Sequence, residues 1–220
     1  ISAGSGLLIS YLGRAGSSAV VGAACAICPA WDVPKAFAQM GAAQPTAERA
    51  MLRHIKQKFI RSNEKLLREW DSGAVDACLQ ANSLPAMLDA HAPFALRTRG
   101  ATGEAFLARH NPMADRHGVA VPTLLLNAED DFVCDIKLVR PDVIINHPGA
   151  LLLVTQSGSH VAFNEGNFGS GSYHARVSFD FLDAARQTAE TARATTEQMH
   201  GVVVQTRQHR GTLAARDATQ

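Results

Sequence analysis

Continuously apolar runs alternate with segments of helical spacing along this chain. The runs are AVVGAACAI at 19–27, VAVPTLLLNA at 119–128 and ALLLV at 150–154. Each is unbroken rather than alternating with polar residues, which is the pattern of a strand buried on both faces of a parallel sheet. Pro29 and Pro34 stop the first run. Ahead of it, a short turn leads into a helix with Leu7, Leu8, Tyr11 and Leu12 on one side, ended by Gly13 and Gly16. After it, Thr46 is placed to cap a helix with Glu48 in its first turn. Met51, Ile55 and Phe59 follow at four-residue spacing, and Leu66, Leu67 and Trp70 extend the apolar face, while Arg53, Lys56, Lys58 and Arg61 stay polar. This predicts an amphipathic helix or helix pair, either packed on a core or lying over a pocket.

The stretch 83–116 carries Pro85, Pro93, Gly100, Gly103 and Pro112 and is expected to be irregular. DIKLVRPDVIINHPG is a poor helix interrupted by Pro141, and Tyr173, Val177, Phe181 and Leu182 set a helix over about 172–185. Residues 186–220 are rich in Thr, Ala, Gln and Arg without a sustained apolar face, and are expected to be a frayed helix or a disordered tail. No internal repeat is visible. Strands alternating with helices imply an α/β fold with a parallel sheet. Its core spans 1–44 and 119–185, and 45–118 form a helical insertion.

Composition narrows the classes. The 220 residues suit one domain of ordinary size, and 46% hydrophobic against 19% charged residues is globular. A net charge of +1 gives no argument for nucleic acid or an anionic membrane surface. No apolar run approaches the roughly 18 residues of a membrane span, and the first residues lack the basic and apolar regions of a signal peptide. Four cysteines, at 25, 28, 78 and 134, are too few for a disulfide scaffold. Cys25 and Cys28 form a C-x-x-C, but they end a buried strand instead of opening a helix as a redox pair would. A zinc ribbon would need a second pair. They are expected to be core residues. His110, Asp115 and His117 lie close in sequence without the spacing of a helical metal motif.

Active groups in open parallel sheets collect at the carboxyl ends of strands. Three candidates sit there. Ser2, in I-S-A-G-S-G, directly precedes a helix. It is either a helix cap or a nucleophile exposed on a tight turn, for which small neighbours are needed. Among Glu129, Asp130 and Asp131, just past a strand, one carboxylate could fix a histidine tautomer, although three adjacent acids also suit a solvated turn. His160 follows the last strand in a Gly/Ser loop that frees it to reach back over the sheet. The order is serine, acid, histidine, one of three orders in which such groups recur.

These stretches carry a resemblance. S-A-G-S-G-L-L-I-S-Y-L-G, C-P-A-W-D-V, V-P-T-L-L-L-N-A-E-D-D and G-S-H-V-A-F-N-E-G resemble the C-terminal part of an α/β-hydrolase, nearest to the YheT/embryogenesis-associated branch of phospholipases and monoacylglycerol lipases. N-S-L-P-A-M-L-D resembles its cap more weakly. The likeness covers about residues 1–185. It implies a parallel sheet with helices on both faces and a helical cap or lid over 45–118. It implies Ser2 as nucleophile, Asp131 as orienting acid (the second Asp of the family's D-D-P), His160 as general base and the Ala3 amide as oxyanion donor. Phe132 replaces the family's proline, and Ser5 replaces the second glycine after the nucleophile. The implied activity is hydrolysis of carboxylic esters of lipids or acylglycerols, without metal or cofactor and with no nucleic acid partner. An acyltransferase using the same three residues and a non-catalytic binding protein are the alternatives. Family members can be membrane-anchored through N-terminal segments. The nucleophile-bearing strand, earlier strands and a second oxyanion donor are expected upstream of Ile1, so the sequence reads as a fragment, inactive and aggregation-prone by itself.

Overall fold

The computed structural model describes residues 1–139 and 149–214, with side chains described as far as residue 196 except at residue 112. Its centre is a parallel sheet in the order β1 (Ala24–Ile27), β2 (Thr123–Ala128), β3 (Ala150–Thr155). Ala24 pairs with Thr123, and Thr123 with Ala150. The middle strand is buried along its whole length, which explains why its sequence does not alternate. The α/β class expected from the pattern is therefore present.

Each face of the sheet carries a helix. On one side α1 (Ala3–Ala15) packs Ile9 and Leu12 against Ala24, Ala26, Leu125, Trp31, Met113, Val119 and Val139. On the other, Ile27, Cys28, Leu126, Ala128 and Phe163 form a second cluster that Tyr173 joins from α7 (Tyr173–Ala214). A two-stranded antiparallel pair, β4 (Asn164–Glu165) and β5 (Gly171–Ser172), leads into α7. This helix runs on through the stretch expected to be frayed or disordered, as far as Ala214.

Between β1 and β2 lies a helical region: α2 (Val33–Ala43), α3 (Pro45–Ile55), α4 (Glu64–Gln80), α5 (Leu84–Leu96) and α6 (Gly103–His110). Met40, Leu52, Ile60, Val75, Cys78, Leu84 and Met87 build its own core. A π-helical turn at Lys56–Ile60 and a 3₁₀ turn at Arg61–Asn63 join α3 to α4. The buried Glu48 carboxylate accepts a hydrogen bond from the Leu84 amide at 2.8 Å and so ties α3 to the first turn of α5.

Several local expectations need correcting. Leu7 and Tyr11 are exposed, and α1 buries Ser5, Ile9 and Leu12 instead. This face follows the four- and three-residue steps of a helix, whereas Leu7 and Leu12 stand about 140° apart around its axis. The first strand begins only at Ala24, and Val20 and Val21 remain exposed. Thr46 does not cap α3. Gln44 holds that position and Pro45 opens the helix, where a missing N–H costs nothing. Residues 83–116 are not irregular. Pro85 stands in the first turn of α5, Ser83 Oγ caps that helix by accepting from the Ala86 amide at 3.2 Å, and Pro93 is absorbed near its end. Thr102 caps α6 in the same way. Of the poor helix at 135–149, Ile136–Leu138 form a 3₁₀ turn, and residues 140–148 lie outside the described residues.

The helical region is locked to α1 near its return to the sheet. The 3₁₀ segment Pro112–Gly118 meets α1 with no room for side chains, since a Cβ at Gly13 would collide with the Asp115 carbonyl and one at Gly118 with the Gly13 carbonyl. Asp115 also accepts from Ser10 Oγ at 2.6 Å and Arg14 Nε at 2.8 Å.

Candidate active site

The amide of Ser2 donates to the Ile27 carbonyl at 2.8 Å, which fastens the start of α1 to the end of β1. Ser5 strengthens that joint. Buried where the family pattern has glycine, its hydroxyl donates to the Ile27 carbonyl and accepts from the Ile27 amide, both at 2.8 Å. Ser2 has φ 53° and ψ −126°, a conformation that ordinary residues avoid. Its side chain makes no capping bond to α1. The hydroxyl points instead to His160 Nε2, 2.8 Å away. Ser2 thus stands at the cap position of α1, half-buried, without the side-chain bond that a capping serine makes. Ala3 opens α1, so its amide belongs to the first-turn N–H groups that have no carbonyl within the helix to bind.

His160 Nδ1 lies 3.0 and 3.1 Å from the two carboxylate oxygens of Asp131. Asp131 follows β2 after a two-residue turn. Its side chain is fully buried, and Oδ1 also accepts from the Val133 and Cys134 amides, each at 2.8 Å. Burial alone would raise its pKa. The hydrogen bond from His160 and the two amides outweigh that and hold it below the ordinary carboxylate value. Asp131 is thus ionised near neutrality and accepts only. Nδ1 donates to that carboxylate, and in the neutral imidazole Nε2 then accepts from Ser2 Oγ–H. The three side chains form one directed chain of hydrogen bonds.

The other acids of the turn differ. Glu129 is exposed. Asp130 Oδ1 accepts from the Ser159 amide at 2.6 Å, so it holds the loop that presents His160. That loop needs holding, because Ser159 and Val161 on either side of the histidine both have positive φ, 47° and 69°. Phe132, in the family's proline position, places its ring 6.5 Å from the imidazole.

Two residues near this chain escaped the sequence reading. One is Asp130 in its loop-holding role, a contact 29 positions along the chain with no local signature. The other is Cys28, buried with φ 48° at the end of β1. Its thiol, pushed up to about 12 by burial, lies with its sulfur within 4.8 Å of the Asp131 carboxylate. Cys25, its C-x-x-C partner, lies against α7 with Sγ 3.7 Å from the Ser178 carbonyl, so the two thiols do not share a site. Among the described residues, one group of three His, Cys, Asp or Glu side chains gathers its donor atoms, and it is Cys28, Asp131 and His160. His110 stacks on Phe106 and Asp115 binds Ser10 and Arg14, so that trio does not converge.

A largely apolar groove of about 630 Å³ crosses the helical region, lined among others by Pro34, Phe37, Leu88, Leu107 and, at its polar edge, Asp89 and Glu104. Trp70 packs against Phe94 with ring centroids 5.6 Å apart, and Phe59 stands partly exposed against His91.

No family model matches the chain. It is 28% identical over 162 residues to human Protein ABHD15, an alignment that takes in 73% of this chain and 33% of that protein. The chain thus spans about a third of the length of the curated relative it matches. That likeness does not reach the YheT branch. The parallel sheet with its helices establishes the α/β class, and the distant sequence likeness suggests an α/β-hydrolase-like chain.

Proposed function

We propose that this chain carries the reactive residues of a serine hydrolase that cleaves carboxylic esters. The observation that supports this is the single chain of hydrogen bonds from Ser2 Oγ through His160 to Asp131. His160 Nε2 takes the hydroxyl proton as Ser2 attacks the ester carbonyl, and an acyl-enzyme forms while His160 returns the proton to the leaving alcohol. Water then attacks the acyl group with the same histidine as base. Asp131 keeps the imidazole in the tautomer that accepts from Ser2 and stabilises the imidazolium. The Ala3 amide is the first donor to the oxyanion. The resemblance of the chain's motifs to the YheT branch suggests lipid or acylglycerol esters, and the apolar groove between α2, α5 and α6 suits an acyl chain.

A fluorophosphonate probe tests this. We expect labelling at Ser2, and none in Ser2→Ala, in a protein that carries this chain together with the upstream strands that the resemblance implies. Labelling that persists in Ser2→Ala, or a folded protein that no fluorophosphonate labels, would remove the reading.

A further inference from the structure

We propose that Cys28, Asp131 and His160 form a site for a thiophilic divalent cation, Zn²⁺ above all, and that filling it silences the Ser2–His160 pair. The three side chains offer one sulfur, one oxygen and one nitrogen, all within 4.8 Å of one another. Zinc bonds of about 2.0–2.3 Å in a tetrahedron set donors roughly 3.3–3.8 Å apart, so Nδ1 and the Asp131 oxygens, now 3.0 and 3.1 Å apart, part by a few tenths of an ångström while the sulfur, within 4.8 Å of both, completes the set. The donor set is a zinc set: three mixed protein ligands with a fourth position for water. Mg²⁺ and Ca²⁺ prefer oxygen alone and would gain little from the sulfur. The carboxylate is already oriented by the Val133 and Cys134 amides, the kind of outer support that ligating carboxylates carry. The imidazole keeps 15% of its surface exposed, so the ion enters from the histidine side.

The consequence for the hydroxyl follows from proton positions. Asp131 faces Nδ1, so a cation seated between them binds Nδ1. The Cys28 thiol gives its proton to solvent. The ring's single proton leaves Nδ1 for solvent and Nε2 takes one up in its place, so the imidazole stays neutral with its proton on Nε2. Nε2–H then faces Ser2 Oγ and has no lone pair to take the hydroxyl proton. The inhibitory half of this proposal rests on the ester-hydrolase reading, and the binding half does not.

Cobalt(II) is the probe, because a thiolate ligand produces a near-ultraviolet charge-transfer band and a tetrahedral site produces intense visible bands. One equivalent of Co²⁺ should produce both in the wild-type chain. Zn²⁺ should displace it and excess Mg²⁺ should not. Cys28→Ser should remove the thiolate band, His160→Gln should weaken binding at least about tenfold, and Cys25→Ser should change neither. If Cys28→Ser does not fold, His160→Gln decides alone. The absence of a thiolate band, a band that survives Cys28→Ser, or one lost only in a Cys134→Ser variant overturns the site. Zn²⁺ should also slow fluorophosphonate labelling of the wild type at least tenfold and leave Cys28→Ser at its own metal-free rate. Equal slowing of both would overturn the silencing. A wild type that is unlabelled even without metal sinks the hydrolase reading, while the cobalt spectrum still decides the site.

Discussion

The helical region and the rim of the sheet hold their side chains by different means. From Val33 to His110, order comes from interdigitating apolar groups such as Met40, Leu52, Ile60, Val75 and Met87, with mostly helical backbone broken at the Asp71 kink and at Arg97, which ends α5 in the left-handed region. At the rim, Ser2, Cys28, Ser159 and Val161 all have positive φ without being glycine. Each such residue costs about 1–3 kcal/mol. They stay because short bonds hold the backbone there: Ser2 to Ile27, Cys28 to Leu126 at 2.7 Å, and Ser159 to Asp130. Packing thus stabilises one region, while the other uses hydrogen bonds to hold strained backbone in place. Substitutions should therefore separate the two, with stability lost in the helices and reactivity lost at the rim.

The largest separation is expected from Ser2→Ala, which should lower ester turnover by about 10⁵-fold or more, the scale of removing a serine nucleophile. Its thermal midpoint should stay close to the wild type. Turnover within tenfold of the wild type would show that rim geometry and reaction are unrelated. Asp131→Asn should come next, at about 10⁴-fold, because an amide can donate to Nδ1 and so select the wrong tautomer.

The same variant tests the acid limb. A carboxyl held below its ordinary value stabilises the fold fully above the unfolded-state value, and loses that contribution as pH falls through the lowered folded value. The wild type should therefore lose midpoint faster than Asp131→Asn when the pH is taken below the ordinary carboxylate range. Parallel curves for the two proteins would refute this.

Ile60→Ala reverses the comparison. It should destabilise the fold by about 2–5 kcal/mol in denaturant titrations while the folded protein keeps its fluorophosphonate labelling rate. A labelling rate that falls in step with stability would mean that the two regions are coupled. The smallest effect is assigned to Asp130→Ala, which frees the Ser159 amide. A shifted imidazole should lower turnover about tenfold, and Asp130→Asn, which still accepts that bond, should restore most of it.

The parts of this architecture that could be read from residues are those with a periodic signal. The apolar runs at β2 and β3 mark strands because burial on both faces removes any need for polar alternation. The positions of Asp131 and His160 just past such runs follow from the same logic, while Ser2 is marked only by the helix that it precedes. Where the reading missed, non-local terms decide. Leu7 and Tyr11 are as apolar as Ile9, and only the position of the sheet selects which side of α1 is covered. Pro85 and Pro93 look like breakers, yet Ser83 and Glu48 supply what the first turn of α5 needs. The approach of Cys28 to Asp131 joins residues from two strands and leaves no trace in either local sequence.

One feature of the packing constrains how the molecule can move. Gly13 and Gly118 bring main chain against main chain, and Asp115 pins both Ser10 and Arg14 across the same seam. The helix that begins just after Ser2 is thereby welded to the downstream root of the helical region. Any swing of the insertion away from the sheet has to pivot at its upstream root, in the stretch between Cys28 and Val33. A swing about the welded seam would drag the serine off its histidine, so access and alignment are mechanically one variable at that end and independent at the other.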